Sequence, residues 1–253
     1  MATAANTRPA TAGDARFFVI SAMLMAAVIV GGFSMNLAMG RSSFAVPLIF
    51  HVHAAFFFGW VVLYLVQTTA IATGALGLHR TLGKVALGWI PAMLVAGALV
   101  VRQSLTSHGG PPFFDTREFL FGNAAGLAYF AGFAGAAIVL RRRTDWHRRL
   151  LFCAMASLTG PGFGRLLPVP FMIPWAWWVS AVLAPALFPI AGMIRDRRRH
   201  GRIHPAWAWG LGGLVATMLI ADLIAFSPAG SAITRAVVAG TPGDDGDFAP
   251  HFP

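Results

Sequence analysis

His53, Trp60 and Gln67 are spaced by seven residues inside a long apolar run. At about 3.6 residues per turn they fall on one helical stripe, which Gly74 continues. Histidine and glutamine are costly against lipid, so such a stripe should face protein. His51 lies two residues from His53 and projects away from it, so the two cannot ligate one metal from a regular helix. Two further histidines stand beside arginines where apolar runs begin: His79 in Leu78-His79-Arg80-Thr81-Leu82-Gly83-Lys84, and His147 in Asp145-Trp146-His147-Arg148-Arg149. Neutral imidazole is an axial ligand to haem iron, which makes His53, His79 and His147 candidate ligands, with Gln67 and Arg165 as supporting or propionate-type partners. The plainer reading of His79 and His147 is that basic helix ends anchor the chain and meet lipid phosphate. A second candidate set is His51, His53, Glu118 and Asp222. Imidazole with carboxylate suits zinc, copper or iron, and equally a proton relay or an ion pair that fixes helices.

The elements that must position these groups are membrane helices. The chain has 253 residues, 57% hydrophobic and 11% charged, too little polar surface for a soluble globule. Apolar stretches long enough for a hydrocarbon core of about 30 Å run near Phe17 to Met39, Val46 to Leu76, Val85 to Val101, Phe119 to Leu140, Leu150 to Leu167, Phe171 to Ile194 and Ala206 to Phe226. The fold class expected is all-α, a polytopic bundle of about seven spans over residues 16–227. A disordered cytoplasmic leader (1–15) precedes it and a flexible acidic tail (228–253) follows. The first stretch exceeds a signal-peptide core and is read as a retained helix. Gly160-Pro161-Gly162 should break the fifth span, and Pro174, Pro185 and Pro189 should make the sixth irregular.

With the N-terminus inside, 14 lysines and arginines fall on the cytoplasmic side and 5 outside, which favours N-in/C-out in a bacterial inner membrane. Trp175, Trp177 and Trp178 then form an outer aromatic belt, and Trp146, Trp207 and Trp209 an inner one. The net charge of +10 is clustered at span ends, so anionic lipid headgroups are the expected partner and nucleic acid is not. Gly122-x-x-x-Gly126 and the Ala128, Gly132, Ala136 row allow close helix approach, within the chain or in a homo-oligomer or larger membrane complex. Cys153 stands alone, which excludes an intrachain disulfide and a CxxC site. There is no GxSxG, HExxH or P-loop, and no lysine in the last span for a retinal Schiff base.

The order His53 and Gln67, then Leu78 to Lys84, then His147-Arg148-Arg149-Leu150-Leu151 and Arg165, resembles an uncharacterised bacterial multi-pass membrane family, a domain of unknown function. The likeness covers about His51 to Arg165, departs from that pattern at Lys84, Leu150 and Gly160-Pro161-Gly162, and implies that the polar positions act as a set. A looser likeness to cytochrome b561-type bundles is architectural. Three functions follow: a membrane redox protein holding haem b or a transition metal; a non-enzymatic carrier or path for a small molecule or proton; and an accessory subunit of a larger complex. Asp222 should pair with Arg165, His51 or His53. The stripe should line the main polar cavity beside the broken fifth helix. His200 and His204 should be solvated.

Overall fold

A computed structural model describes residues 12–250, and every regular element in that range is helical. The expected leader lies outside the described residues as far as residue 11, and α1 (Ala12–Ala38) takes in its last positions. α2 (Leu48–Ala72), α3 (Leu76–His108) and α4 (Thr116–Val139) follow. α5 (Thr144–Ser157) and α6 (Gly160–Leu166) are separated by a break. A 3₁₀ turn at Val169–Met172 leads into α7 (Ala176–Trp178), a π-turn at Val179–Leu183 and α8 (Ala184–His200), which run on as one helix. α9 (Pro205–Ala225) and α10 (Pro228–Val238) complete the chain. Six of these segments are long and apolar enough to cross a membrane: α1 to α4, Ala176–His200, and α9.

The stretch expected as a seventh span is in two pieces. α5 ends at Ser157, the Thr159 hydroxyl donates to the Ala156 carbonyl at 2.6 Å, and α6 restarts with Pro161 in its first turn. Proline has no N–H to give and fits best in a first turn, which places the break just ahead of Gly160-Pro161-Gly162. α3, by contrast, starts nine residues before the expected Val85. Gly74, at φ 78°, turns the chain after α2, and Leu76 to Lys84 then suits a helix except at Gly77 and Gly83. His79 therefore sits on the first turn of a helix. The expected loop there is only three residues long, 73–75.

The bundle has two unlike ends. At the basic end α1, α3, α5 and α9 begin and α2, α4 and α8 finish. It carries thirteen of the described lysines and arginines against Asp14, Asp145 and Asp196. The opposite, tail end holds Arg41, Arg102, Arg117, Arg165 and Arg235 against Asp115, Glu118, Asp222, Asp244, Asp245 and Asp247. Between them Met25, Trp60, Met93, Phe130, Phe152, Met155 and Trp207 fill one continuous core. α1 and α6 touch backbone to backbone, since a Cβ on Gly32 would lie 2.5 Å from the Gly162 carbonyl oxygen.

Two expectations are corrected by this packing. The segment from residue 228 is no free tail. Ser227 caps α10 by accepting from Gly230 N at 3.0 Å, and the chain then returns, with Gly243 N donating to Thr106 O at 3.1 Å and Thr116 N to Phe248 O at 2.9 Å. The aromatic belts are also incomplete. Trp175 and Trp209 are exposed, but Trp177 and Trp207 are buried and Trp178 is half-buried, because their indoles pack against helices inside the bundle.

Candidate functional site

α2 and α3 form the most extensive helix pair, and the polar stripe runs along their seam. Trp60 is 3% exposed, its ring edge-on to Phe130 at 5.2 Å, and its Nε1 has no hydrogen-bond partner. One heptad towards the tail end, His53 stacks on Phe57 at 4.1 Å and lies against the Ala96 carbonyl, yet its buried Nδ1 is unpartnered. One heptad towards the basic end, Gln67 leaves its buried Oε1 without a donor. A methyl group on Gly83 would stand 3.8 Å from the Gln67 amide nitrogen, so glycine leaves space beside it. His79, beside the Gln67 backbone, contributes a fourth buried and unpartnered atom, Nδ1. Buried polar atoms are nearly always satisfied, and four of the seven that are not, among the described residues, lie along this one seam, the others being Arg148 Nε, Trp177 Nε1 and Arg195 Nη1; that concentration makes the seam the candidate site.

At the basic end of the seam the His79 and His147 rings stand 6.3 Å apart, at 83° to each other. His147 Nδ1 lies 2.8 Å from the Ala137 carbonyl. A carbonyl only accepts, so Nδ1 carries the proton, and in the neutral ring the lone pair is left on Nε2. This is the arrangement in which a histidine presents a coordinating nitrogen while its other nitrogen is fixed from behind.

The remaining candidates are placed apart from this pair. Arg165 is at the tail end, its guanidinium 3.9 Å above the Phe33 ring and donating to the Pro161 carbonyl at 2.8 Å; its charge is felt at His53. The haem-type set thus divides into His79, His147 and Gln67 at one end and His53 with Arg165 at the other. His51 is exposed. Glu118 and Asp222 are electrostatic neighbours, and Asp222 accepts from Trp178 Nε1 at 2.7 Å where Arg165, His51 or His53 was expected. Among the described residues no group of three or more His, Cys, Asp or Glu side chains could hold a metal ion. Two hollows open elsewhere, about 400 Å³ between α4, α5 and α9, and another on α10.

A polar cluster at the basic end was not foreseen. Arg149, 3% exposed, binds Asp196 through two hydrogen bonds of 2.9 Å, and Asp196 also accepts from Trp207 Nε1 at 2.8 Å. Asp14 accepts from Arg195 and forms ion pairs with Arg148 at 3.4 Å and Arg199 at 3.8 Å. One sequence signal pointed here: Asp196 is the single acid in Arg195-Asp196-Arg197-Arg198-Arg199, an odd residue in a run meant only to anchor. His204 joins the edge of this cluster and is not a solvated loop residue. It caps α9 by accepting from Ala206 N at 3.2 Å and meets Trp146 edge-on at 5.2 Å. Burial, then the Arg149 charge, holds its pKa below the ordinary histidine value. His200 is exposed, as expected.

No protein-family model, curated protein or solved structure matches the chain.

Proposed function

We propose that this is a bacterial inner-membrane protein of seven crossings, N-terminus inside, that holds a haem between His79 and His147 in an electron-transfer role. The seventh crossing is α5 with α6, and the basic end faces the cytoplasm and its anionic lipids. The observation that carries the reading is the His79–His147 pair: two imidazoles from different helices, 6.3 Å apart, one with its tautomer fixed by the Ala137 carbonyl. His79 and His147 would each hold the iron through one ring nitrogen. The donor set fits: the Ala137 carbonyl fixes the His147 tautomer, and the His79 Nδ1 and Gln67 Oε1 beside it are unpartnered. A haem so held supplies one-electron transfer between ferric and ferrous iron. His147 fixes its own lone pair through Ala137, Gln67 offers an amide to a polar edge, and Arg80 and Lys84 supply positive charge at the exposed side of α3.

Protein purified in mild detergent from haem-supplemented cells should show a Soret band and a pyridine haemochrome at one haem per chain. His79→Ala and His147→Ala should each abolish the band while His51→Ala keeps it. A colourless wild-type protein refutes the reading. A second reading, a proton path, is favoured by the unpartnered atoms of His53, Trp60 and Gln67, which stretch along α2 away from the histidine pair. Flux in proteoliposomes that collapses in Gln67→Leu supports it.

A further inference from the structure

The hollow between α4, α5 and α9 lies on the outward surface of the bundle. Ala128, Gly132 and Ala136 form its floor, Tyr129 and Phe133 one wall, and Leu140, Trp146 and Trp209 its mouth at the basic end. Gly132 opens the floor, since a Cβ there would meet nothing within 4 Å. From Ala128 to Leu140 the groove follows twelve residues of helix, about 18 Å. One leaflet of a hydrocarbon core is about 15 Å deep. Immediately beyond the mouth come Arg141, Arg142 and Arg143, all exposed; Arg141 donates to the Ile138 carbonyl at 3.3 Å, and none forms an ion pair among the described residues.

We infer that this groove is a binding site for one anionic glycerophospholipid, its phosphate over Arg141–Arg143 and one acyl chain laid along Ala136, Gly132 and Ala128. Three features converge on that occupant. The depth matches a single leaflet, so the chain end stops near the bilayer centre while the phosphate stays at headgroup level. The charge at the mouth is net positive, because the one nearby acid, Asp145, is paired with Arg148 and Arg149 while Arg141–Arg143 are not paired among the described residues, and this selects an anionic headgroup over a zwitterionic one. Trp146 and Trp209 flank the junction between apolar floor and charged rim, the level at which indoles settle in a bilayer. A second copy of this chain, packed through the same small residues, is the competing occupant. Three arginines facing their own symmetry mates would repel it.

The test is native mass spectrometry of the full chain released from nanodiscs of phosphatidylglycerol and phosphatidylcholine in equal parts. Wild type should retain one phosphatidylglycerol. Gly132→Leu, which fills the floor, should cut retention about tenfold, or ~1.4 kcal/mol. Arg142→Gln with Arg143→Gln should remove the preference for phosphatidylglycerol while keeping a lipid bound. Ala98→Leu, on the exposed face of α3, controls for a general effect of bulk. Circular dichroism and size exclusion confirm that each variant folds. Retention unchanged in folded Gly132→Leu overturns the site, as does a dimer whose Ala128→Cys copies cross-link to each other.

Discussion

The Arg149–Asp196–Trp207 cluster and the α2 seam are both polar and both inside the bundle, yet they are built on opposite terms. In the cluster the carboxylate oxygens of Asp196 meet three donors at 2.8–2.9 Å from two other helices. In the seam four polar atoms on two adjacent helices meet none. A satisfied network ties elements together, and its worth is measured by what fails when one member is removed. Unsatisfied groups contribute nothing to the fold as it stands, and they persist because something other than the fold requires them. The first region joins α5, α8 and α9; the second is the candidate site.

Substitutions at the two regions should therefore separate stability from function. The largest loss is expected for Arg149→Ala or Asp196→Ala, at about 3–5 kcal/mol, since either removes the bidentate partner of a buried charge and leaves Asp196 only Arg195 at 3.8 Å and Trp207, or Arg149 only Asp145 at 3.4 Å. Thermal unfolding in detergent reads this directly, and Arg149→Met combined with Asp196→Leu should recover most of it. Should Arg149→Ala melt with the wild type, the cluster is not what joins α5 to α8. Trp207→Phe keeps most of the packing and removes one hydrogen bond to a charged group, about 1.5–3 kcal/mol. At the seam, Gln67→Leu should change stability by less than about 1 kcal/mol in either direction, because no bond is lost, while lowering retention of the Soret-absorbing species. A melting temperature that falls as far as in Trp207→Phe would move the seam into the structural class.

The smallest effect is a pH dependence. His204 has its pKa depressed in the folded protein, chiefly by burial and then by Arg149, so the unfolded chain takes up its proton first as pH falls. Its contribution is complete above the ordinary histidine value of about 6.5 and is lost as pH drops below it. His204→Asn keeps a side-chain cap for α9 and should flatten the decline in melting temperature between about pH 7 and 5. An unchanged slope would remove His204 from the account.

The helical class and the inward stripe were legible because they rest on composition and on a seven-residue spacing, both of which are local properties. The break of the fifth span was legible too, from Gly160-Pro161-Gly162. The start of α3 at Leu76 was missed because Arg80 and Lys84 depress the apolarity of a segment that is nonetheless helical. Asp222 was assigned the wrong partner for a different reason. An indole N–H on another helix satisfies a carboxylate as well as an arginine does, and Trp178 was read only as a belt residue. Asp196 was hidden by its neighbours: amid four arginines the averaged charge says surface, while the helix turns that one residue inward.

The break between α5 and α6 also bears on how the chain is made. α6 has seven residues, about 10 Å of helix, and ends in a turn carrying Arg165. α5 opens on Asp145, Arg148 and Arg149. Neither piece offers the insertion machinery the run of about 20 apolar residues on which it acts, whereas α1 to α4 each do. The surface that receives α6 is α1, where a Cβ on Gly162 would sit 2.7 Å from the Val28 carbonyl oxygen. That surface is synthesised more than a hundred residues earlier. On the proposed seven-crossing topology this least hydrophobic crossing would enter the bilayer late, admitted by partners already in place, and its insertion would depend on α1 more than on its own sequence.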